Sequence, residues 1–82
     1  MSEYIAVFDT AYETLRAEDF FRKEKIKFRP ILKPRGIGSS CKMALQFSAD
    51  DMEPVKRAVV IGNLALAGFF KEESGKWKKI ES

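Results

Sequence analysis

Cys41 is the one side chain here with intrinsic covalent reactivity, the only cysteine among 82 residues that include no histidine. These counts exclude a tetrahedral zinc site, an iron–sulfur cluster held by this chain alone, a Cys–His or Ser–His catalytic pair and an internal disulfide. What remains is the chemistry of a single thiol. The segment Pro34-Arg35-Gly36-Ile37-Gly38-Ser39-Ser40 leads into Cys41, and Lys33, Arg35 and Lys42 bracket it. A nearby cation favours thiolate over thiol. Gly36 and Gly38 can adopt positive φ and turn successive backbone N–H groups inward as an anion-binding nest, with Ser39 and Ser40 adding hydroxyl donors. Such a loop would stabilise a thiolate or a persulfide. Its Gly-x-Gly precedes a strand and not a helix, so neither dinucleotide-binding nor phosphate-loop mechanics apply.

The alternation that begins at Cys41 argues the other way. It places the thiol on the side of Met43, Leu45 and Phe47, and free cysteine is among the most buried residue types. Cys41 is therefore either a reactive loop thiol or a small apolar residue at a strand entrance.

The elements that must position this loop follow from periodicity. Glu3 to Phe8 is a β-rich, nearly uninterrupted apolar run and reads as a central strand. Thr10 with Glu13 has the form of a capping box, so a helix starts there and ends near Glu24, with Ala11, Thr14, Leu15, Ala17 and Phe21 on its inner stripe and Arg16, Asp19, Arg22 and Lys23 outward. Glu18 falls between Thr14 and Phe21 and reads as a carboxylate bordering the core, not a site residue. Lys27 to Lys33 alternates as a second strand, and Pro30, which cannot donate to a ladder, puts it at a sheet edge. Lys42 to Ser48 is a half-buried third strand. A second helix starts near Asp51, with Pro54 in its first turn, presents Met52, Val55, Ala58, Val59 and Gly62 to the core, and exits at Gly62-Asn63. Leu66 to Glu72 is a fourth strand with Phe69 and Phe70 on opposite faces. The order predicts an α+β fold, a ferredoxin-like βαββαβ two-layer sandwich with an antiparallel four-stranded sheet, strands 1 and 3 central and 2 and 4 at the edges. Residues 1–73 form this single domain. Residues 74–82 form a basic C-terminal tail or a short extra strand, with Lys76, Lys78 and Lys79 around Trp77.

Composition bounds the rest. At 45% apolar and 33% charged the chain is that of a folded domain, and its net charge of +3 is too mild to identify a nucleic-acid partner. The solitary cysteine and the lack of a signal peptide at Met1 point to the cytoplasm, and the run from Leu64 to Phe70 falls well short of the ~20 apolar residues that cross a bilayer.

From Glu3 to Phe70 the chain resembles the small selenium/sulfur carrier protein-like family. The resemblance is carried by Tyr4-Ile5-Ala6-Val7-Phe8, Leu15-Arg16-Ala17-Glu18, Pro34-Arg35, Ser39-Ser40-Cys41 and Ala44-Leu45-Gln46-Phe47. It implies a compact cytoplasmic protein, not an enzyme, in which Cys41 holds selenium or sulfur as a perselenide or persulfide and passes it from donor to acceptor proteins. No metal or other cofactor is implied. By position, Pro34 and Arg35 match the start of the family's loop, and Ser39 and Ser40 match its small polar residues. Lys42 stands where the family usually has glycine, a side chain that could crowd the thiol or supply a cation to it.

Two rivals come from other classes. A ferredoxin-like sheet is also the platform of RNA-binding modules, but the aromatic signature they need on the central strands is absent. A homo-oligomeric interaction module is the other, because an apolar sheet face opposite the helices calls for a cover. In either rival Cys41 is only structural.

Overall fold

In the computed structural model, which describes residues 3–80, the chain is an α+β unit of two helices against a five-stranded antiparallel sheet. Its elements are β1 (Glu3–Phe8), α1 (Ala11–Lys23), β2 (Phe28–Leu32), β3 (Met43–Ser48), a 3-10 turn (Ala49–Asp51), α2 (Met52–Gly62), β4 (Leu66–Glu73) and β5 (Lys76–Lys79). The sheet order is β2-β3-β1-β4-β5. Strands 1 and 3 are internal and β2, with Pro30, lies at an edge, as the alternation requires. The expected four-stranded sheet is corrected to five. Lys76–Lys79 pairs with β4 from Phe70↔Lys79 to Glu73↔Lys76, so β4 is internal and β5 takes the edge. Glu73 reaches across this hairpin to Lys78 at 2.8 Å and along its own strand to Lys71 at 3.5 Å. Residues 1, 2, 81 and 82, at the ends of the expected domain and tail, lie outside the described residues.

The helix ends show why the elements stop where they do. Thr10 caps α1, its Oγ1 accepting from Glu13 N–H at 3.2 Å. Both helices then finish with the paired carbonyl-capping bonds of a Schellman turn. Lys25 donates to Arg22 O and Ile26 to Phe21 O after α1, while Asn63 donates to Val60 O and Leu64 to Val59 O after α2. The residues that turn these corners are left-handed, Lys25 at φ 59 and Asn63 at φ 49. Just before Asn63, a Cβ on Gly62 would meet the Phe20 ring at 2.8 Å, so glycine there lets the helices approach.

The helices cover one sheet face. Ala6, Phe8, Leu45, Phe47 and Phe69 from the strands pack with Ala17, Phe21, Val55 and Ala58 from the helices. Leu15 and Ala11, expected on the inner stripe of α1, are exposed, Leu15 at 62%. Arg16, expected outward, folds over onto α2 and donates to Gly62 O at 2.6 Å. Both differences have one cause: α2 crosses α1 on its Arg16 side, which rotates the buried arc towards Glu13 and Arg16 and away from Ala11 and Leu15.

The opposite face was expected to be open. It is covered by the chain itself: the loop between β2 and β3 crosses it, and Ile37 sits on Ile5, Val7 and Ala44, with Ile31, Ala67, Phe70 and Trp77 around them. Ile5 and Val7 are fully buried. The argument for a second subunit on that face therefore loses its premise.

Candidate functional site

Cys41 lies at the end of the molecule where β1 passes into α1, α2 passes into β4, and the 33–42 loop enters β3. As the alternation predicts, its side chain turns to the helix side of the sheet, against the first turn of α1. The expectation of an accessible thiol is not met: Cys41 is 1% exposed.

Its sulfur has a complete set of polar neighbours. Thr14 Oγ1 lies 3.0 Å from Sγ, Met43 O at 3.3 Å accepts from the thiol, and Met43 N–H donates to Sγ at 3.4 Å. Thr14 is itself buried, and its hydroxyl also reaches Thr10 O at 3.0 Å. One hydroxyl proton therefore has two destinations. With Sγ protonated, Thr14 donates to Thr10 O and the thiol donates to Thr14 or Met43 O. With Sγ anionic, Thr14 O–H and Met43 N–H both donate to it. With the thiol protonated every polar group of the cage is paired, which removes the penalty an unpaired buried polar group would carry.

The loop is pinned over the thiol by hydrogen bonds that the sequence did not reveal. Ser39 Oγ donates to Phe8 O at 2.7 Å and accepts from Cys41 N–H at 3.0 Å. Ser40 Oγ donates to Asp9 O at 2.5 Å. Lys33 Nζ donates to Ser39 O at 2.7 Å, and Lys33 N–H to Lys42 O at 2.8 Å. Ser39 and Ser40 thus tie the loop to the end of β1 and do not line a nest around the sulfur.

The remaining expected site residues are dispersed. Gly36 has φ +92, but Gly38 lies outside the positive-φ region, so the two do not form the successive inward-turned N–H groups of a nest. Arg35 and Gly36 line a groove with Ile37, Phe70 and Trp77, on the sheet face away from Cys41. Lys42 is exposed, and among the described residues neither it nor Arg35 makes a hydrogen bond or ion pair to Cys41. Among the described residues none of the three bracketing cations bonds the sulfur; Lys33 is spent on Ser39 O. The partner that matters is Thr14, whose place on the inner stripe of α1 was the available signal.

A second cluster braces the same end. Glu13 does not return to the Thr10 N–H as a full capping box would. Its Oε1 accepts from Ala65 N–H at 2.9 Å while the carboxylate receives Arg16 at 2.9 and 3.1 Å. The Ala65 N–H, with Arg16 beside it, holds the Glu13 carboxyl below its ordinary value of 4.5. Asp9 N–H bonds Ala65 O at 2.8 Å, so the start of α1 and the start of β4 are clamped together.

Among the described residues no group of three His, Cys, Asp or Glu converges as a metal site, and no helix is long and apolar enough to cross a membrane. A small α+β domain with one caged cysteine is the class that fold and site define. Residues 3–71 match the family described as "Putative Se/S carrier protein-like", and the chain belongs to it. Comparison with curated proteins and with solved structures returned no match.

Proposed function

We propose that this protein is a non-catalytic carrier that holds one sulfur or selenium atom on Cys41 as a persulfide or perselenide and exchanges it with partner proteins. The observation that carries this reading is the cage of Thr14 and Met43 around the only cysteine, within a chain that belongs to a carrier-named family. The exchange needs no cofactor. The Cys41 thiolate attacks the terminal sulfur of a donor persulfide R–S–SH; a new S–S bond forms, the donor's S–S bond breaks, and R–S⁻ leaves with the electron pair. A perselenide moves in the same way, with Se in place of the terminal S. Each transfer conserves oxidation level, and the reverse reaction on an acceptor thiol unloads the carrier.

Burial sets the condition for loading. A donor must lift the 39–42 segment from the start of α1, after which the loop closes over an adduct that solvent thiols cannot reach. The tethers that have to yield are the Ser39, Ser40 and Lys33 bonds, on partly or fully exposed residues, which is the low-stability kind of structure that opens locally. The docking surface for such a donor lies close by. Tyr12, Leu15, Leu32, Val60 and Ile61 are all exposed large apolar residues, and the strand order and helix directions bring all five to the Cys41 end. We read β1 to β4 with the two helices as a ferredoxin-like unit extended by β5, and the compartment as the cytoplasm, where such thiols stay reduced.

A second reading is favoured by the same burial: Cys41 fills the space under α1 as a structural residue, and the exposed apolar end serves protein association alone. Incubation with a persulfide-loaded desulfurase, or with selenite and thiol, followed by intact-mass measurement separates the two. The carrier reading expects a one-atom increment of sulfur or selenium, present in the wild type and missing from Cys41→Ser. A wild-type protein that stays unloaded while a free thiol peptide is loaded under the same conditions supports the structural reading.

A further inference from the structure

The groove on the opposite face of the sheet is independent of the thiol. It lies between the 33–42 loop and the β4–β5 hairpin, has a volume of about 340 Å³, and is lined by Arg35, Gly36, Ile37, Phe70, Lys76 and Trp77 together with the hairpin turn. Three features of its lining point to one kind of occupant. Two cations meet in it. Arg35 and Lys76 are exposed, and among the described residues neither is ion-paired, whereas Lys71 and Lys78 on the same hairpin are taken up by Glu73. Two aromatic side chains, Phe70 and Trp77, are half-buried beside them, so each is held by the core while leaving some surface free. The backbone turns at Gly36 (φ +92) and Gly75 (φ +78) leave open space where a Cβ would stand, so a ligand can approach the main chain at both rims.

Cations beside aromatic surface suit an anion with a planar body, in which the ring stacks and the charge meets guanidinium and ammonium groups. The volume sits at the small end of the ~300–1,000 Å³ range of ligand pockets, which fits a compact molecule and not a polymer. We propose that this groove binds a planar aromatic anion of mononucleotide size, with Arg35 and Lys76 on the anionic group and Trp77 against the ring.

Trp77 is the only tryptophan in the chain, so its emission reports on the groove directly. Adenosine monophosphate, inorganic phosphate and adenosine are titrated separately into the full-length protein, with calorimetry as a second readout. The expected result is a saturable change with the mononucleotide and affinities at least roughly tenfold weaker for phosphate, which lacks the ring, and for adenosine, which lacks the charge. Arg35→Ala and Lys76→Ala each weaken mononucleotide binding by roughly tenfold, as loss of a charge-assisted contact does, with an unchanged melting temperature. Lys27→Ala, on the far edge strand side, leaves it unchanged. No saturable response up to about 10 mM, where binding free energy would fall below ~3 kcal/mol, overturns the proposal. So does equal binding by the Arg35 and Lys76 variants, or much tighter, steeply salt-dependent binding of a single-stranded oligonucleotide, which would make the groove part of a polymer surface.

Discussion

Replacing Ser39 by alanine tests whether the loop over Cys41 is a gate that opens by itself. The substitution removes two hydrogen bonds, Ser39 Oγ to Phe8 O at 2.7 Å and Cys41 N–H to Ser39 Oγ at 3.0 Å, while the Ser40 and Lys33 tethers remain. At a net 0.5–1.5 kcal/mol each, the closed state loses about 1–3 kcal/mol. A thiol that is 1% exposed reacts only from an open state, so its alkylation rate scales with the opening equilibrium. At 1.4 kcal/mol per factor of ten, Ser39→Ala should react roughly 5- to 150-fold faster than wild type. Iodoacetamide labelling followed by mass spectrometry gives both rates, and the protein in full denaturant gives the reference for a free thiol. The same measurement in dilute urea identifies the route. Local opening exposes little surface and leaves the rate nearly flat, whereas global unfolding raises it with a slope of about 1 kcal/mol per molar urea for a domain of this size. A wild-type rate equal to the denatured reference, an Ser39→Ala rate within twofold of wild type, or a full unfolding slope in urea would each refute the gate.

Two further outcomes test the frame around the site. Lys25 holds a left-handed corner at φ 59, so Lys25→Gly should stabilise the fold by about 1 kcal/mol and raise the melting temperature by roughly 4–8 °C in calorimetry; an unchanged or lower value would mean that the lysine side chain outweighs its backbone cost. Glu13 has its folded carboxyl pKa depressed by the Ala65 N–H and then by Arg16, so its contribution is present above the ordinary value of 4.5 and is lost as pH falls through the lower folded value. Glu13→Gln should therefore have a lower urea midpoint than wild type near neutral pH, with the gap closing as pH falls below the ordinary value of 4.5 and through the lower folded one. A gap that persists in acid would locate the effect in packing.

Much of the frame is legible in residue order because it depends on neighbours. The period-2 alternation of β3 and the apolar run of β1 gave the strand faces, Pro30 marked an edge, and Thr10 and Asn63 marked where helices begin and end. Alternation also placed Cys41 on the helix side of the sheet. The fifth strand was ambiguous since Lys76–Lys79 is short and mostly charged, and only the ladder with β4 makes it a strand.

The site itself was not legible, because its bonds join residues far apart. Thr14 meets Cys41 across 27 positions, Arg16 meets Gly62 across 46 and Glu13 meets Ala65 across 52. Periodicity states which face a side chain takes but not what lies opposite, and that is set by how α1 and α2 cross and by the sheet register. The 33–42 loop has no period at all. Its course sends Arg35 to one side of the sheet and Cys41 to the other, so a cation six residues from the thiol ends up on the opposite face. The sequence by itself determined that this protein has one thiol and an alternating frame to hold it. Tertiary packing alone decided that the thiol is covered, that Thr14 and the Met43 main chain contact its sulfur, and that the second sheet face is closed by the chain's own loop.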